Sequence, residues 1–296
     1  MANSNGWGDG AANNSIGWGQ GANNSIGWGS SHATSYAGLT DIVGLTTDTD
    51  AQAFITAAGI TDATQKSAID TLVKSLKSNN IWTKMKAIYP FVGGTATTHK
   101  YNLKDPRDLD AAFRLVFNGG WTHSSTGATP NGTNGYADTK LVPNGNLAQN
   151  DSHASLYSRT NNLLGTQMDI GTIFSGGTTN QDFYLSAYYS AGVVCNINGS
   201  GFSFFGSNAT SLGFFLGQRT AVNTTNTYQN DNLVKTNTST STTPSLNNIT
   251  LGRNTGTEYS ARQLAFVSFG SSFTTTERAN LYTAVQAFQT SLSRQV

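Results

Sequence analysis

Apolar and polar residues recur with helical spacing between residues 48 and 80. Asp48 or Thr49 can cap a short helix through Ala58, and Gly59 is placed to end it. A second helix is predicted before Asn79 and Asn80, because its apolar residues fall at i, i+3, i+4 and i+7. These residues are Ile69, Leu72, Val73 and Leu76. We expect this apolar stripe to pack on the domain that follows, since only about one and a half heptads are present for a coiled coil.

Beyond Ile81 the pattern changes to short apolar or alternating runs separated by Gly, Asn, Ser and Thr. These runs occupy residues 86–92, 111–117, 183–194, 201–205, 212–216, 248–251 and 263–269. Short strands between turn-forming residues, with few helices among them, predict a mainly β protein built as an antiparallel sandwich. A C-terminal helix is predicted from Thr274, whose spacing to Glu277 is that of a capping box. Its apolar face consists of Leu281, Val285, Phe288 and Leu292.

The first 35 residues carry an internal repeat with a period of ten or eleven. Each unit offers one indole and one aliphatic side chain, too little apolar surface to offset backbone ordering of about 1–2 kcal/mol per residue. A flexible tail is one interpretation. The regular spacing favours an extended arm that orders against another copy or a different protein. The expected anchors are Trp7, Ile16, Trp18, Ile26 and Trp28.

Composition and charge exclude several kinds of partner. Charged residues make up 11% of the 296 residues, against about 25% in an average soluble domain. The formal net charge is +1, and without a basic cluster we expect no nucleic-acid binding. No stretch reaches the roughly 18 apolar residues of a membrane span, and residues 1–31 do not have the shape of an export signal. The single cysteine, Cys195, excludes an internal disulfide and is predicted to be buried.

Catalytic and metal signals are weak. Glutamate occurs only at Glu258 and Glu277, and the second already has a capping role, so the carboxylate pair of a glycosidase has little support. The histidines are isolated and no serine lies in a nucleophile elbow. Residues 150–153 and Asp169 offer oxygen ligands for Ca²⁺, although such loops more often form Asx turns. We therefore expect no catalytic residue and no cofactor, with Ca²⁺ as the open alternative.

One loop combines an indole with hydroxyl and amide donors, as a sugar-binding platform does. Residues 119–123 follow a predicted strand and open a loop rich in Gly, Thr and Asn. The candidate glycan-binding residues are Trp121, His123, Asn131, Asn134 and Tyr136. A tryptophan after a strand also serves as a lid on the core, and we favour that interpretation for Trp121.

Several segments resemble concanavalin A/laminin-G-like domains in virion proteins of tailed bacteriophages, the crAss-like phages included. The segments are residues 81–94, 102–106, 117–123, 157–161, 251–254 and 291–296. The resemblance covers about residues 50–296, and the repeat arm is similar to the N-terminal arms of phage fibre and decoration proteins. It implies a jelly-roll sandwich anchored by its N-terminus. The expected domains are an anchoring arm at 1–35, a helical linker at 36–80 and the sandwich with its C-terminal helix at 81–296.

The resemblance implies a non-enzymatic virion protein, a head fibre or capsid decoration that displays a lectin-like sandwich for adhesion. Its arm would dock on other virion proteins, at the surface of a particle assembled in the bacterial cytoplasm. A homo-oligomer is expected, a trimer ahead of a dimer, with host-surface or environmental polysaccharide as a further partner. The alternatives are a tail fibre that recognises host glycans and, third, a polysaccharide-degrading enzyme.

Overall fold

The computed structural model describes residues 46–175, 180–200, 205–254 and 256–296. The predicted anchors of the arm, Trp7, Ile16, Trp18, Ile26 and Trp28, lie outside these residues. Asp48–Val296 is one compact unit, and it is the subject below. Within the described residues no helix is both long and apolar enough to cross a membrane.

The described residues of this unit include four α-helices: α1 (Thr49–Ala57), α2 (Ala63–Ser78), α3 (Ala96–His99) and α4 (Thr275–Ser291). Short 3-10 turns lie at Trp82–Lys84 and Asp110–Ala112. Asp48 caps α1 by accepting from the amide of Asp50, and Gly59 follows with φ of 65°. The predicted capping box of α4 is present, since Thr274 and Glu277 bond each other's backbone amides. The three predicted helices are therefore confirmed.

Fifteen strands lie in the part of the chain that the structure describes. They are β1 (Met85–Tyr89), β2 (Val116–Asn118), β3 (Trp121–Ser124), β4 (Gly127–Pro130), β5 (Tyr136–Asp138), β6 (Ser152–Ser158), β7 (Ile170–Ser175), β8 (Asn180–Tyr189), β9 (Gly192–Gly199), β10 (Phe205–Gly206), β11 (Gly213–Ala221), β12 (Thr224–Gln229), β13 (Asn232–Asn237), β14 (Thr250–Leu251) and β15 (Leu264–Gly270).

The strands form two antiparallel sheets. Sheet I has the order β13-β12-β11-β6-β15-β4-β3, with β1 paired to β15. Sheet II has the order β10-β9-β8-β7-β14-β5-β2. Neighbours in the sheets are mostly distant in sequence, for example β6 between β11 and β15. The predicted antiparallel jelly-roll sandwich is confirmed.

Two hydrophobic clusters hold the layers together. The first lies between the sheets and includes Leu156, Phe183, Phe215 and Phe269, all fully buried. The second lies between the outer face of sheet I and helices α1, α2 and α4. There the predicted stripe of α2 packs in one cluster with Tyr157, Phe214 and Phe266 of the sheet, as the sequence predicts. Sheet I is consequently covered on both faces.

Two strand predictions need correction. The sequence predicts one strand over residues 111–117, and the structure does not have it. A 3-10 turn ends at Ala112, Phe113 has a left-handed φ of 59°, and strand pairing begins only at Val116. Arg114 bonds back to Asp110, which favours the turn over an extended backbone. Residues 183–194 were expected as one run and form the hairpin of β8 and β9, with Ser190 in the turn at φ of 56°.

Candidate functional site

Four of the five predicted glycan-binding residues, Trp121, His123, Asn131 and Asn134, lie at one edge of the sandwich. Here β2 and β5 of sheet II lie beside β3 and β4 of sheet I, and the chain passes from one sheet to the other at Gly119 and Gly120. The carbonyl oxygen of Gly120 accepts from the amide of Asn131 at 3.0 Å. A Cβ on Gly119 would lie 2.1 Å from the carbonyl oxygen of Asn134, so only glycine fits this crossing.

Asn131 and Asn134 build this loop with their side chains. Oδ1 of Asn131 accepts from the amides of Thr133, Asn134 and Gly135 at 3.1, 3.0 and 2.9 Å. Its Nδ2 donates at 2.8 Å to Oδ1 of Asn134, which also accepts from the amide of Gly120 at 3.0 Å. Both amide groups are thus engaged within the loop, in the Asx-turn role that dense Asn segments usually have.

Trp121 closes the end of the core between the sheets. Its ring packs edge-on against Phe117 with centroids 5.1 Å apart, and both side chains lie against the inter-sheet cluster. The indole N–H donates to the carbonyl of Asn118 at 3.2 Å. Trp121 is thus the lid on the core that the sequence predicts.

His123 is joined to His99 by a hydrogen bond between their Nδ1 atoms, 2.9 Å apart. Nε2 of His99 accepts from the amide of Gly94 at 3.2 Å, so the proton of this neutral ring resides on Nδ1 and is donated to His123. Burial lowers the pKa of His99 to about 3, and the neighbouring His123 ring and Arg294 guanidinium lower it further, since both disfavour a second positive charge. Burial also lowers the pKa of His123. The hydrogen bond between the two rings holds α3 against β3.

An open basin lies on the surface beside this edge. Its volume is about 340 Å³, and it is lined by Ala96, Thr97, Lys100, Arg114, Leu115, Val116 and Phe117. The half-buried ring of Phe117 packs edge-on against Trp121 and His123 and also lines the basin. Lys100 and Arg114 at the rim share Asp108 at 2.5 and 2.9 Å. The basin therefore offers an aromatic surface, a hydroxyl and paired charges together.

Tyr136 belongs to a second cluster, which the sequence did not reveal. The guanidinium of Arg253 lies 3.4 Å from the centroid of the Tyr136 ring and 5.7 Å from that of Tyr259. Nη1 of Arg253 donates to Oη of Tyr259 at 3.1 Å. No local pattern marks Arg253, and no spacing rule connects it with a tyrosine 117 positions earlier.

Glu258 lies at the border of this cluster. It accepts a hydrogen bond from Oη of Tyr189 at 2.5 Å and another from Nδ2 of Asn254. Burial, together with the neighbouring Glu258 carboxylate, raises the pKa of Tyr189 to about 12. The second glutamate, Glu277, caps α4 and forms an ion pair with Lys84 at 2.6 Å, as its predicted capping role requires.

The oxygen ligands considered for Ca²⁺ are engaged elsewhere. Both oxygens of Asp169 accept from Nε of Arg262, at 2.9 and 3.0 Å, in a fully buried ion pair. Asp151 accepts from the amide and hydroxyl of Ser272. In the part of the chain that the structure describes, no three His, Cys, Asp or Glu side chains come together as a metal site.

No protein-family model and no curated protein matches the chain. Among solved structures, domain 4 of AbnA, an extracellular GH43 arabinanase from Geobacillus stearothermophilus, is 14% identical with a TM-score of 0.48. The match covers 67% of this chain and 98% of that domain, which was solved with arabinotriose. Trypanosoma rangeli sialidase is 12% identical with a TM-score of 0.49, over 73% of this chain and 38% of the sialidase. Its complex with sialic acid matches with the same identity and TM-score. At such identities the likeness shows the sandwich fold alone.

These comparisons contradict the predicted function, a virion head fibre or capsid decoration. The similar structures are parts of an arabinanase and a sialidase, which are glycan-processing proteins and not virion proteins. The prediction of a structural role in the virion is therefore wrong. The resemblance itself, the homo-oligomer, the partners of the arm and the virion-surface location are not tested by these comparisons and stay predictions.

Proposed function

We propose that the sandwich is a carbohydrate-binding domain that holds polysaccharide in the basin beside β2 and α3, without catalysis. One observation carries the proposal: the Phe117 ring and the side chains of Thr97, Lys100 and Arg114 line one open basin of about 340 Å³. That volume falls within the roughly 300–1,000 Å³ of small-ligand sites, which combine apolar walls with a few polar groups.

The basin offers partners for both the C–H face and the hydroxyl groups of a sugar. The C–H face of a pyranose or furanose ring packs on an aromatic surface such as Phe117, while its hydroxyls need both donors and acceptors. Lys100 and Arg114 supply donors, and the hydroxyl of Thr97 supplies an acceptor. Because these charges are already paired, the basin favours neutral polysaccharide over a strongly charged one.

The same geometry argues for binding without bond cleavage. Glycoside hydrolysis ordinarily uses two carboxyl groups on either side of the scissile bond. The basin lining contains no carboxylate, and the nearby Asp108 is held by Lys100 and Arg114. We therefore expect retention of intact polysaccharide and no release of reducing ends.

A blocking substitution tests the basin. Ala96→Trp places an indole at the exposed rim of the basin without altering the core, so affinity for neutral polysaccharides such as arabinan or xylan should fall about tenfold or more, that is by at least about 1.4 kcal/mol. Ala53→Trp, the same change on the exposed side of α1, serves as the control and should leave affinity unchanged. Isothermal titration calorimetry with the full chain measures both. Equal affinity in the two variants, or no binding across a panel of neutral polysaccharides, would overturn the proposal.

A further inference from the structure

We propose that Arg253, clamped between Tyr136 and Tyr259, forms a second binding site, which takes the carboxylate of a uronic-acid unit in an acidic glycan. The guanidinium lies in cation–π contact with both rings, at 3.4 and 5.7 Å from their centroids. Its hydrogen bond to Oη of Tyr259 fixes its rotation. The site is separate from the basin and does not depend on the function proposed for it.

The charge of Arg253 is not neutralised by the protein. Among the described residues Arg253 joins no ion pair, and the one hydrogen bond that its side chain makes there uses Nη1. Nε is buried without a hydrogen-bond partner in the same part of the chain. By contrast, Arg262 is paired with Asp169, and Arg114 with Asp108 and Asp110. A guanidinium prefers two-pronged partners, so the free protons of Nη1 and Nη2 favour an oxyanion from outside.

The backbone holds the guanidinium in place before any ligand arrives. The amide of Gly252 donates to the carbonyl of Asp169 at 2.7 Å, and the amide of Ser260 donates to Gly252 at 2.8 Å. Asn254 packs over Gly171 of β7 so closely that a Cβ on the glycine would lie 3.0 Å from the Asn254 Cα. Such preorganisation reduces the ordering cost of binding.

Neighbouring charges favour a monoanion over a phosphate. Both oxygens of Glu258 accept hydrogen bonds, from Tyr189 and Asn254, and Asp138 is paired with Lys140 at 3.1 Å. Arg253 is one unpaired cation, so it matches a ligand that carries a single negative charge. A phosphate dianion, by contrast, is ordinarily held by several donors. The two tyrosine rings add apolar surface for the sugar ring that carries the carboxylate.

The test compares two forms of one ligand on the full chain. Isothermal titration calorimetry with trigalacturonate should show binding that is lost when the carboxylates are methyl-esterified, and that weakens as salt is added. Arg253→Gln should weaken trigalacturonate binding about tenfold or more, while Arg107→Gln, an exposed arginine paired with Asp105, should leave it unchanged.

The inference would be overturned if the acid and the methyl ester bound equally, or if Arg253→Gln left the affinity for trigalacturonate unchanged. Stronger competition by inorganic phosphate than by galacturonate would also overturn it. The acid–ester comparison uses the unmodified protein, so it decides the matter even if the variant fails to fold. Ala96→Trp should not affect trigalacturonate binding. Failure of the acidic site and failure of the neutral-sugar basin are therefore observed separately.

Discussion

Two buried histidines, His153 and His99, are neutral in the folded protein. His153 is fully buried on β6, where Nδ1 bonds the carbonyl of Ser271 at 2.7 Å and Nε2 bonds the hydroxyl of Ser268 at 3.0 Å. Burial lowers its pKa to about 4. His99 is buried against Phe91 and His123, with a pKa lowered to about 3, chiefly by burial. Both groups bind a proton more readily in the unfolded chain than in the folded one.

Stability should therefore fall as pH falls. When folding lowers the pKa of a histidine, the resulting stability is fully present above the unfolded pKa of about 6.5. It is lost progressively as the pH falls from there to the folded pKa. Between pH 7 and pH 5 we expect a loss of about 2 kcal/mol for each of His153 and His99, from about 1.4 kcal/mol per pKa unit. Urea unfolding at a series of pH values measures the slope.

The matched variant is His153→Asn, which can still bond Ser268 but does not titrate. Its free energy of unfolding at pH 7 should be lower than that of the unmodified protein, yet it should lose about 2 kcal/mol less on going to pH 5. If the variant and the unmodified protein showed the same slope, burial of a neutral His153 would not be the cause.

At this scale the sequence predicts residue types better than residue partners. The burial of Cys195 and the capping role of Glu277 follow from local patterns, and both are observed. The pairing of Asp169 with Arg262 joins positions 93 apart, so the sequence could only offer Asp169 as a loop ligand. Arg253 is not marked by any local pattern either, because the Tyr136 ring on which it stacks lies 117 positions away on β5.

Among the elements, α4 depends on its first turn. Thr274 accepts from the amide of Glu277 at 3.3 Å, and Glu277 returns a bond to the amide of Thr274 at 2.8 Å. We expect Thr274→Ala to lower the free energy of unfolding by about 1 kcal/mol, the usual cost of a lost cap. Thr275→Ala, one position further along and exposed, is the matched control and should change it by less than about 0.5 kcal/mol. Equal effects in the two variants would mean that the capping box contributes nothing.

Helices were easier to predict than strands because α1, α2 and α4 have caps and one-sided apolar faces, both local signals. Strand β6 lacks such a signal, since all seven residues are buried and include Ser152, His153 and Ser155. It has no polar side because the core covers one face and the helices cover the other. Strand β12, rich in Thr and Asn, resembles a loop in composition and pairs with β11 and β13 nonetheless.

At the scale of the whole molecule, the helices complete the sandwich. Asp48–Val296 is one compact unit, and α1 and α2 share a core with the outer face of sheet I. Their contribution comes from Phe54, Ile69, Leu72, Val73 and Leu76, all at most 1% exposed. At about 1.5–3 kcal/mol for each buried side chain, the five stabilise the unit by about 10 kcal/mol, comparable to the whole net stability of roughly 5–15 kcal/mol for a typical domain.

A chain that begins at Ile81 should therefore fail to fold, whereas one that begins at Thr46 should fold. Without α1 and α2, the apolar side chains of Tyr157, Phe214 and Phe266 on sheet I lose much of their cover, and an exposed patch of that kind promotes aggregation. We expect the shorter chain to be insoluble or to bind a hydrophobic dye without a cooperative thermal transition. The longer chain should show a single transition at which far-ultraviolet dichroism and tryptophan fluorescence coincide. A soluble 81–296 chain with the same cooperative transition would show instead that the sandwich folds without these helices and that residues 36–80 are only a linker.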